Sequence, residues 1–123
     1  MAFDYTSFNP GSAQEFFDSI VGEVSAQGAK WWQTNSEYIS GHLRALSQSI
    51  MHTQAALAVG QISPQAARAL ANMQRTYFDQ IGEHTKYMTF ILAQKIADVI
   101  AKMIGWAIFN RTGFNLFPEV VDA

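Results

Sequence analysis

The residues of this chain that could do chemistry are histidines and carboxylates near its middle. In a helical hairpin that turns near residue 61, Glu37, His42, Asp79, Glu83 and His84 come to a similar height. In a dimeric bundle, such a set is a candidate di-metal carboxylate site. The Glu-x-x-His spacing of those sites is absent, however, and Glu37 and His42 project about 140° apart on a helix. We therefore expect no metal or cofactor, and we interpret His84 as a hydrogen-bonded polar residue on the apolar stripe of a bundle.

Other kinds of site find no support in the sequence. The chain has no cysteine, so thiolate chemistry and disulfides are excluded. Its glycines are scattered singly, so no phosphate-binding loop is indicated. The serines of the first helix, such as Ser25 and Ser47, are typical of close helix approach rather than of a nucleophile. We predict no catalytic residue and no enzymatic activity. The net charge of −2 gives no reason to expect a nucleic-acid partner.

The elements that would position these residues are predicted to be two long helices. Ser12 and Glu15 form the S-x-x-E pattern of a capping box, which starts a helix. Residues 16–59 contain no proline and repeat apolar side chains at helical spacing, so helix 1 is predicted over about residues 12–59. Gly22 and Gly28 mark the place where this helix would kink or break.

A short turn follows. Gly60 is typical of a helix end, while Ser63 and Pro64 are typical of an N-cap and a first helical position. Helix 2 is predicted from about residue 64 to 110, where the segment from Asn110 to Gly113 ends it. A turn confined to residues 60–63 makes the helices antiparallel neighbours. The predicted fold is therefore an all-α, long antiparallel two-helix hairpin, with an irregular leader (residues 1–11) and an irregular apolar tail (residues 111–123).

Such a hairpin would need a partner. Each arm of about 45 residues would be roughly 65–70 Å long, and a rod two helices thick leaves its wide apolar faces exposed. We expect a homo-oligomeric, coiled-coil-like bundle or docking on a hydrophobic surface. The candidate interface residues are Trp31, Trp32, Tyr38, Tyr77, Ile81, Met88, Leu92, Met103, Trp106 and Phe109.

Two segments separate these alternatives. Residues 45–67 contain no Asp, Glu, Lys or Arg, which fits a neutral solvated tip or a tip buried in an assembly. The tail after Gly105 either covers the open end of the hairpin or anchors the chain to a hydrophobic surface. The apolar stretch from Met88 to Phe109 is interrupted by three charged residues, so no transmembrane span is predicted. The N-terminus lacks the features of a secretory signal, and we expect a cytoplasmic location.

Residues 63–97 resemble the phasins, helical proteins that coat intracellular polyhydroxyalkanoate granules. The resemblance rests on the Ser-Pro-x-x-Ala start at residues 63–67, on Gln74-x-x-Tyr77-Phe78, and on Thr85-Lys86 followed by Leu-Ala-Gln-Lys-Ile-Ala at residues 92–97. It implies a cytoplasmic, non-catalytic protein whose amphipathic helices lie on a hydrophobic polyester.

Three hypotheses follow. The first is a granule or hydrophobic-surface coat protein of phasin type. The second is a self-assembling structural bundle without a surface ligand. The third, which the residues support least, is a metal-binding helical bundle.

Overall fold

The computed structural model describes residues 3–121, and its regular structure is helical, with no strand among those residues. A 3-10 turn (Tyr5–Ser7) precedes five α-helices. Their bounds are α1 Ala13–Ser25, α2 Ala29–Ala58, α3 Pro64–Glu83, α4 Phe90–Thr112 and α5 Pro118–Val121. The all-α class is as predicted. The outer ends of the predicted leader and tail, residues 1–2 and 122–123, lie outside the described residues.

The long two-helix hairpin is not confirmed, because each predicted arm is divided. The first arm breaks at residues 26–28, within the region where Gly22 and Gly28 predict a break. The second arm also breaks, at residues 84–89, where the apolar repeat predicts a continuous helix. In place of a thin rod, helices α1 to α4 form a bundle. α1 packs on α2 and α4, α3 packs on α2 and α4, and α2 also contacts α4.

Side-chain caps fix most of the helix starts. Ser12 accepts a hydrogen bond from the Glu15 amide, and Ser63 accepts one from the Ala66 amide, as their sequence patterns predict. Gly60 (φ 75°) and Gly113 (φ 80°) adopt the left-handed conformation just after α2 and α4. The turn between α2 and α3 therefore lies where Gly60, Ser63 and Pro64 place it.

The break between α3 and α4 follows Gly82, the second-last residue of α3, and lies in a segment with several weak helix formers. Residues 84–89 include His84, Thr85, Tyr87 and Thr89, which are weaker helix formers than Leu, Lys or Glu by a few tenths of a kcal/mol each. Thr89 then caps α4 by accepting a hydrogen bond from the Leu92 amide. The cap at Thr89 therefore favours a new helix, α4, over continuation of α3.

Contacts from α2 hold this loop in place. The Trp31 indole nitrogen donates to Thr85 Oγ1 (2.7 Å), and Asn35 Nδ2 donates to the Lys86 carbonyl oxygen (2.8 Å). Tyr87 has a left-handed backbone (φ 67°), which costs energy in a residue other than glycine. Lys30 lies over the Tyr87 ring, 4.4 Å from its centroid. The start of α2 thus stabilises a loop conformation that the loop sequence alone does not favour.

The bundle buries its own core. Large side chains from α1, α2 and α4 are fully enclosed, among them Phe16, Trp31, Leu43, Met103 and Ile104. The apolar faces that would be exposed in a two-helix rod are therefore largely covered within one chain. Association with a partner is no longer required for burial of these faces, which removes the main physical reason for the predicted oligomer.

Both predicted irregular ends pack on the bundle. Asn110 Nδ2 donates to the carbonyl oxygens of Thr6 and Phe8, which fixes the leader against the end of α4. In the tail, Leu116 and Phe117 are buried, and Arg68 donates to the Leu116 carbonyl oxygen (2.6 Å). Of the two alternatives for the tail, the structure shows the one in which it covers the bundle.

Candidate functional site

The histidines and carboxylates named above do not form a metal centre. Within residues 3–121, no three His, Asp or Glu side chains lie together closely enough to hold a metal ion. His42 instead packs edge-on against Tyr38 (ring centroids 4.7 Å apart) and against Tyr77 (6.4 Å). Asp79 faces the other side of α3, where it lines a cleft between α3 and α4. His42 and Asp79 therefore lie on different sides of α3, so the predicted set is not brought together.

An exposed apolar surface runs along α3 beside α2. Leu70, Met73 and Tyr77 are spaced three and four residues apart, so they share one side of the helix. Met73 is 68% exposed and Tyr77 is 63% exposed, and Tyr38 of α2, 58% exposed, lies beyond His42. We call Tyr38, Leu70, Met73 and Tyr77 the Tyr77 face. Shallow depressions border Tyr77, lined by Met73 and Gln74 on one side and by Tyr38 and His84 on another.

Positive charge is kept away from this face. Arg68 and Arg75 each lie two residues from a member of the face, so they project about 160° away around α3. Both contact Glu119 on α5, at 3.7 Å and 3.9 Å. Arg68 is also the single charged residue between Arg44 and Arg75. The Tyr77 face and the neighbouring α2–α3 turn therefore form an apolar side of the molecule that has no Lys or Arg among these residues. One acid, Glu83, borders it at the depression beside Tyr38.

A second feature is a cleft between α3 and α4, just beneath the loop. It encloses about 260 Å³. Its apolar lining comes mainly from Trp31, Phe78, Met88 and Phe90, and its polar lining includes two acids, Asp79 and Glu83. We call the space lined by these six residues the α3–α4 cleft. The cleft exists because the loop lets α4 start beside the end of α3.

Asp79 is electrostatically unusual. The pKa of its carboxyl is raised from 3.8 to about 6, mainly by partial burial. The positive charge of Arg75 opposes this rise, and the negative charge of Glu83 adds to it. The Asp79 side chain accepts no hydrogen bond from residues 3–121. Arg75 is held elsewhere, since its guanidinium lies over the Phe117 ring, 4.6 Å from the centroid, and near Glu119. The negative charge of Asp79 is thus poorly compensated within the chain.

The ten predicted interface residues divide into three groups. Trp31 and Met103 are buried in the chain's own core and are closed to an intermolecular contact. Only Tyr38 and Tyr77 are exposed. The other six are partly buried: Trp32, Ile81, Met88, Leu92, Trp106 and Phe109.

Several residues of these surfaces were not predicted. Leu70 and Met73 belong to the Tyr77 face, and their spacing from Tyr77 could have revealed them. Phe90, which is 77% exposed, borders the cleft. Its role depends on the break at residues 84–89, and the recognisable signal was the N-cap Thr89 immediately before it.

Comparison with family models, curated proteins and solved structures gave no match. None of the helices in residues 3–121 combines the length and hydropathy needed to cross a bilayer.

Proposed function

We propose that this chain is a non-catalytic, phasin-like interaction protein whose Tyr77 face docks on a neutral hydrophobic surface such as a polyester granule. The observation that carries the proposal is the Tyr77 face itself. It holds four large apolar or aromatic side chains, at least partly exposed, beside a turn region without charge. Contiguous exposed apolar patches of this kind mark interaction sites.

The charge distribution favours a neutral surface over an anionic one. Binding to anionic lipid or nucleic acid draws on Lys and Arg at the contact. Here Arg68 and Arg75 project away from the face and contact Glu119. The tyrosines suit a boundary between an apolar phase and water, because their rings can enter the apolar layer while their hydroxyls stay hydrated. The motifs in residues 63–97 that resemble the phasins include Tyr77 and start at the turn beside this face.

The test is co-sedimentation of the protein with polyhydroxybutyrate particles. We expect the wild-type chain to sediment with the particles. The double variant Met73→Lys/Tyr77→Lys should bind at least about tenfold more weakly, because each of its two substitutions removes an apolar contact worth about 1.5 kcal/mol or more. The matched control is Ala29→Lys/Gln33→Lys. It adds two lysines with the same spacing on the side of α2 that projects about 140–180° away from Tyr38. Both control positions are exposed.

Light scattering of the same variants separates the proposal from self-assembly. A wild-type protein that stays in the supernatant with the particles overturns surface docking. If that protein is also a stable dimer that Met73→Lys/Tyr77→Lys converts to a monomer, the occupant of the Tyr77 face is a second copy of the chain.

A further inference from the structure

The α3–α4 cleft has a chemistry that surface docking does not use. Its lining combines aromatic rings with two carboxylates, Asp79 and Glu83, and includes no basic side chain from residues 3–121. Asp79 and Glu83 lie four residues apart on α3, so their carboxylates are neighbours on one side of the helix. Two acids in a partly enclosed apolar space give it a negative potential that a cation would relieve.

Three basic groups of adjacent elements are engaged elsewhere, and a fourth, the exposed Lys95 of α4, does not line the cleft. Arg75 contacts Glu119 and the Phe117 ring, on the side of α3 that faces α5. Lys30 and Lys86 both lie over the Tyr87 ring, at 4.4 Å and 5.3 Å from its centroid. The protein therefore leaves Asp79 without the ion pair that usually accompanies a partly buried carboxylate.

The aromatic lining suits the same charge. Trp31, Phe78 and Phe90 border the cleft, and the faces of such rings attract ammonium groups. The volume of about 260 Å³ lies below the range of about 300–1,000 Å³ typical of sites for drug-sized ligands. A single ring or a short alkyl chain bearing one ammonium group matches both the size and the chemistry.

We infer that the α3–α4 cleft binds a small organic ammonium ion, with its charged group at Asp79 and Glu83 and its apolar body against Trp31, Phe78 and Phe90. This site is distinct from the Tyr77 face. Asp79 and Tyr77 lie two residues apart on α3 and so project about 160° from each other. Glu83 also lines the depression beside Tyr38, so changes at Asp79 and Phe90 are the ones that test the cleft without altering the Tyr77 face.

The probe is the 2-phenylethylammonium ion, titrated into the folded protein while the indole N–H signals are followed by NMR. The Trp31 N–H reports on the cleft, because this ring lines it and bonds to Thr85. The Trp106 N–H serves as an internal reference, since that ring packs against Phe109 far along α4. The neutral analogue 2-phenylethanol has the same ring and chain length without the charge. We expect a saturable shift of the Trp31 signal, with at least about tenfold tighter binding of the ammonium ion than of the alcohol.

Variants assign the effect to the cleft. Asp79→Asn should weaken binding of the ammonium ion about tenfold or more and leave binding of the alcohol unchanged. Phe90→Ala should weaken binding of both probes, because both lose contact with the ring. Since Phe90 is exposed, the substitution should cost the fold little stability. The matched control is Asp98→Asn, an exposed acid on α4 that does not line the cleft.

A saturable, charge-selective shift that Asp79→Asn removes and Asp98→Asn preserves supports the inference. The absence of saturation in the wild-type protein, equal binding of ammonium ion and alcohol, or an Asp79→Asn variant that binds as the wild type does each overturns it.

Discussion

The indole nitrogen of Trp31 donates a hydrogen bond to the hydroxyl of Thr85 at 2.7 Å, and this bond joins the start of α2 to the loop between α3 and α4. Trp31 is almost fully buried, so water cannot replace this partner. The same hydroxyl donates to the Gly82 carbonyl oxygen at the end of α3. One side chain thus satisfies a buried donor and ties the end of α3 to α2.

Replacement of Thr85 by valine should therefore be costly. Thr85→Val keeps the shape of the side chain but leaves the Trp31 N–H without an acceptor, and we expect the free energy of unfolding to fall by about 1–3 kcal/mol. Urea denaturation measures the change. Thr76→Val on the exposed side of α3 is the control, and we expect it to stay within about 0.5 kcal/mol of wild type. Equal effects of the two substitutions would show that the Trp31–Thr85 bond adds nothing specific.

Two glycines in helix interiors should respond to alanine in opposite directions. A Cβ at Gly105 would lie 2.8 Å from Val121 Cγ2, so the Val121 side chain or α5 itself must shift to accept it. A Cβ at Gly41 meets nothing within 4 Å. We expect Gly105→Ala to destabilise the protein by about 1–3 kcal/mol through overpacking, and Gly41→Ala to stabilise it by about 0.5–1 kcal/mol through helix propensity.

The measurement is the urea midpoint of each variant. Stabilisation by both alanines would mean that α5 is not packed on Gly105 in solution. The same result would reopen the alternative in which the tail is free to anchor the chain.

The sequence predicts the helix ends better than it predicts the bundle. The helix ends at Ser12, Gly60 and Ser63 depend on capping and backbone conformation within a few residues. Such patterns can be recognised in the sequence without knowledge of the fold. The break at residues 84–89 was missed because the apolar repeat continues across it. Ile81 and Leu92 are eleven residues apart, as a straight helix would place them, yet they lie in different helices. A local pattern does not reveal that the loop gains contacts from Trp31 and Asn35, which are about fifty residues away in sequence.

That single missed break also decides the candidate sites. With a straight second helix, Met103 belongs to an intermolecular face, and no cleft forms beside Asp79. With the break, Met103 is internal and the cleft appears. The exposure of Tyr77 does not depend on the break. Its surroundings come from α2 and α3, which the sequence already predicts as neighbours across the turn.

The raised pKa of Asp79 predicts how stability depends on pH. The carboxyl has a pKa of about 6 in the folded protein and an ordinary value of 3.8, so the folded state binds this proton more tightly. This group therefore lowers the free energy of unfolding as the pH rises between these two values, and the cost persists above pH 6. The full shift corresponds to at most about 3 kcal/mol, which we reduce to about 1 kcal/mol because the carboxylate is partly solvated.

Asp79→Asn should remove that cost. We expect the variant to be more stable than wild type by about 1 kcal/mol near pH 8, and to lose this advantage near pH 4, where the native carboxyl keeps its proton. Urea denaturation at several pH values gives the comparison, with Asp98→Asn as the exposed control. An Asp79→Asn variant with the same advantage at both ends of the pH range would contradict the assigned pKa.

The N-cap Thr89 should set where α4 begins. Its hydroxyl accepts a hydrogen bond from the Leu92 amide at 3.1 Å, and Thr89→Ala leaves that amide without a side-chain acceptor. We expect a loss of about 1 kcal/mol in the free energy of unfolding. Thr34→Ala, at an exposed position inside α2, is the matched control and should be neutral or slightly stabilising, because alanine is the better helix former. Amide hydrogen exchange adds a local measurement, since loss of the cap should speed exchange at residues 90–92 more than in the middle of α4. If Thr89→Ala were as stable as Thr34→Ala and exchange at these amides were unchanged, the loop contacts of Trp31 and Asn35 alone would define the start of α4.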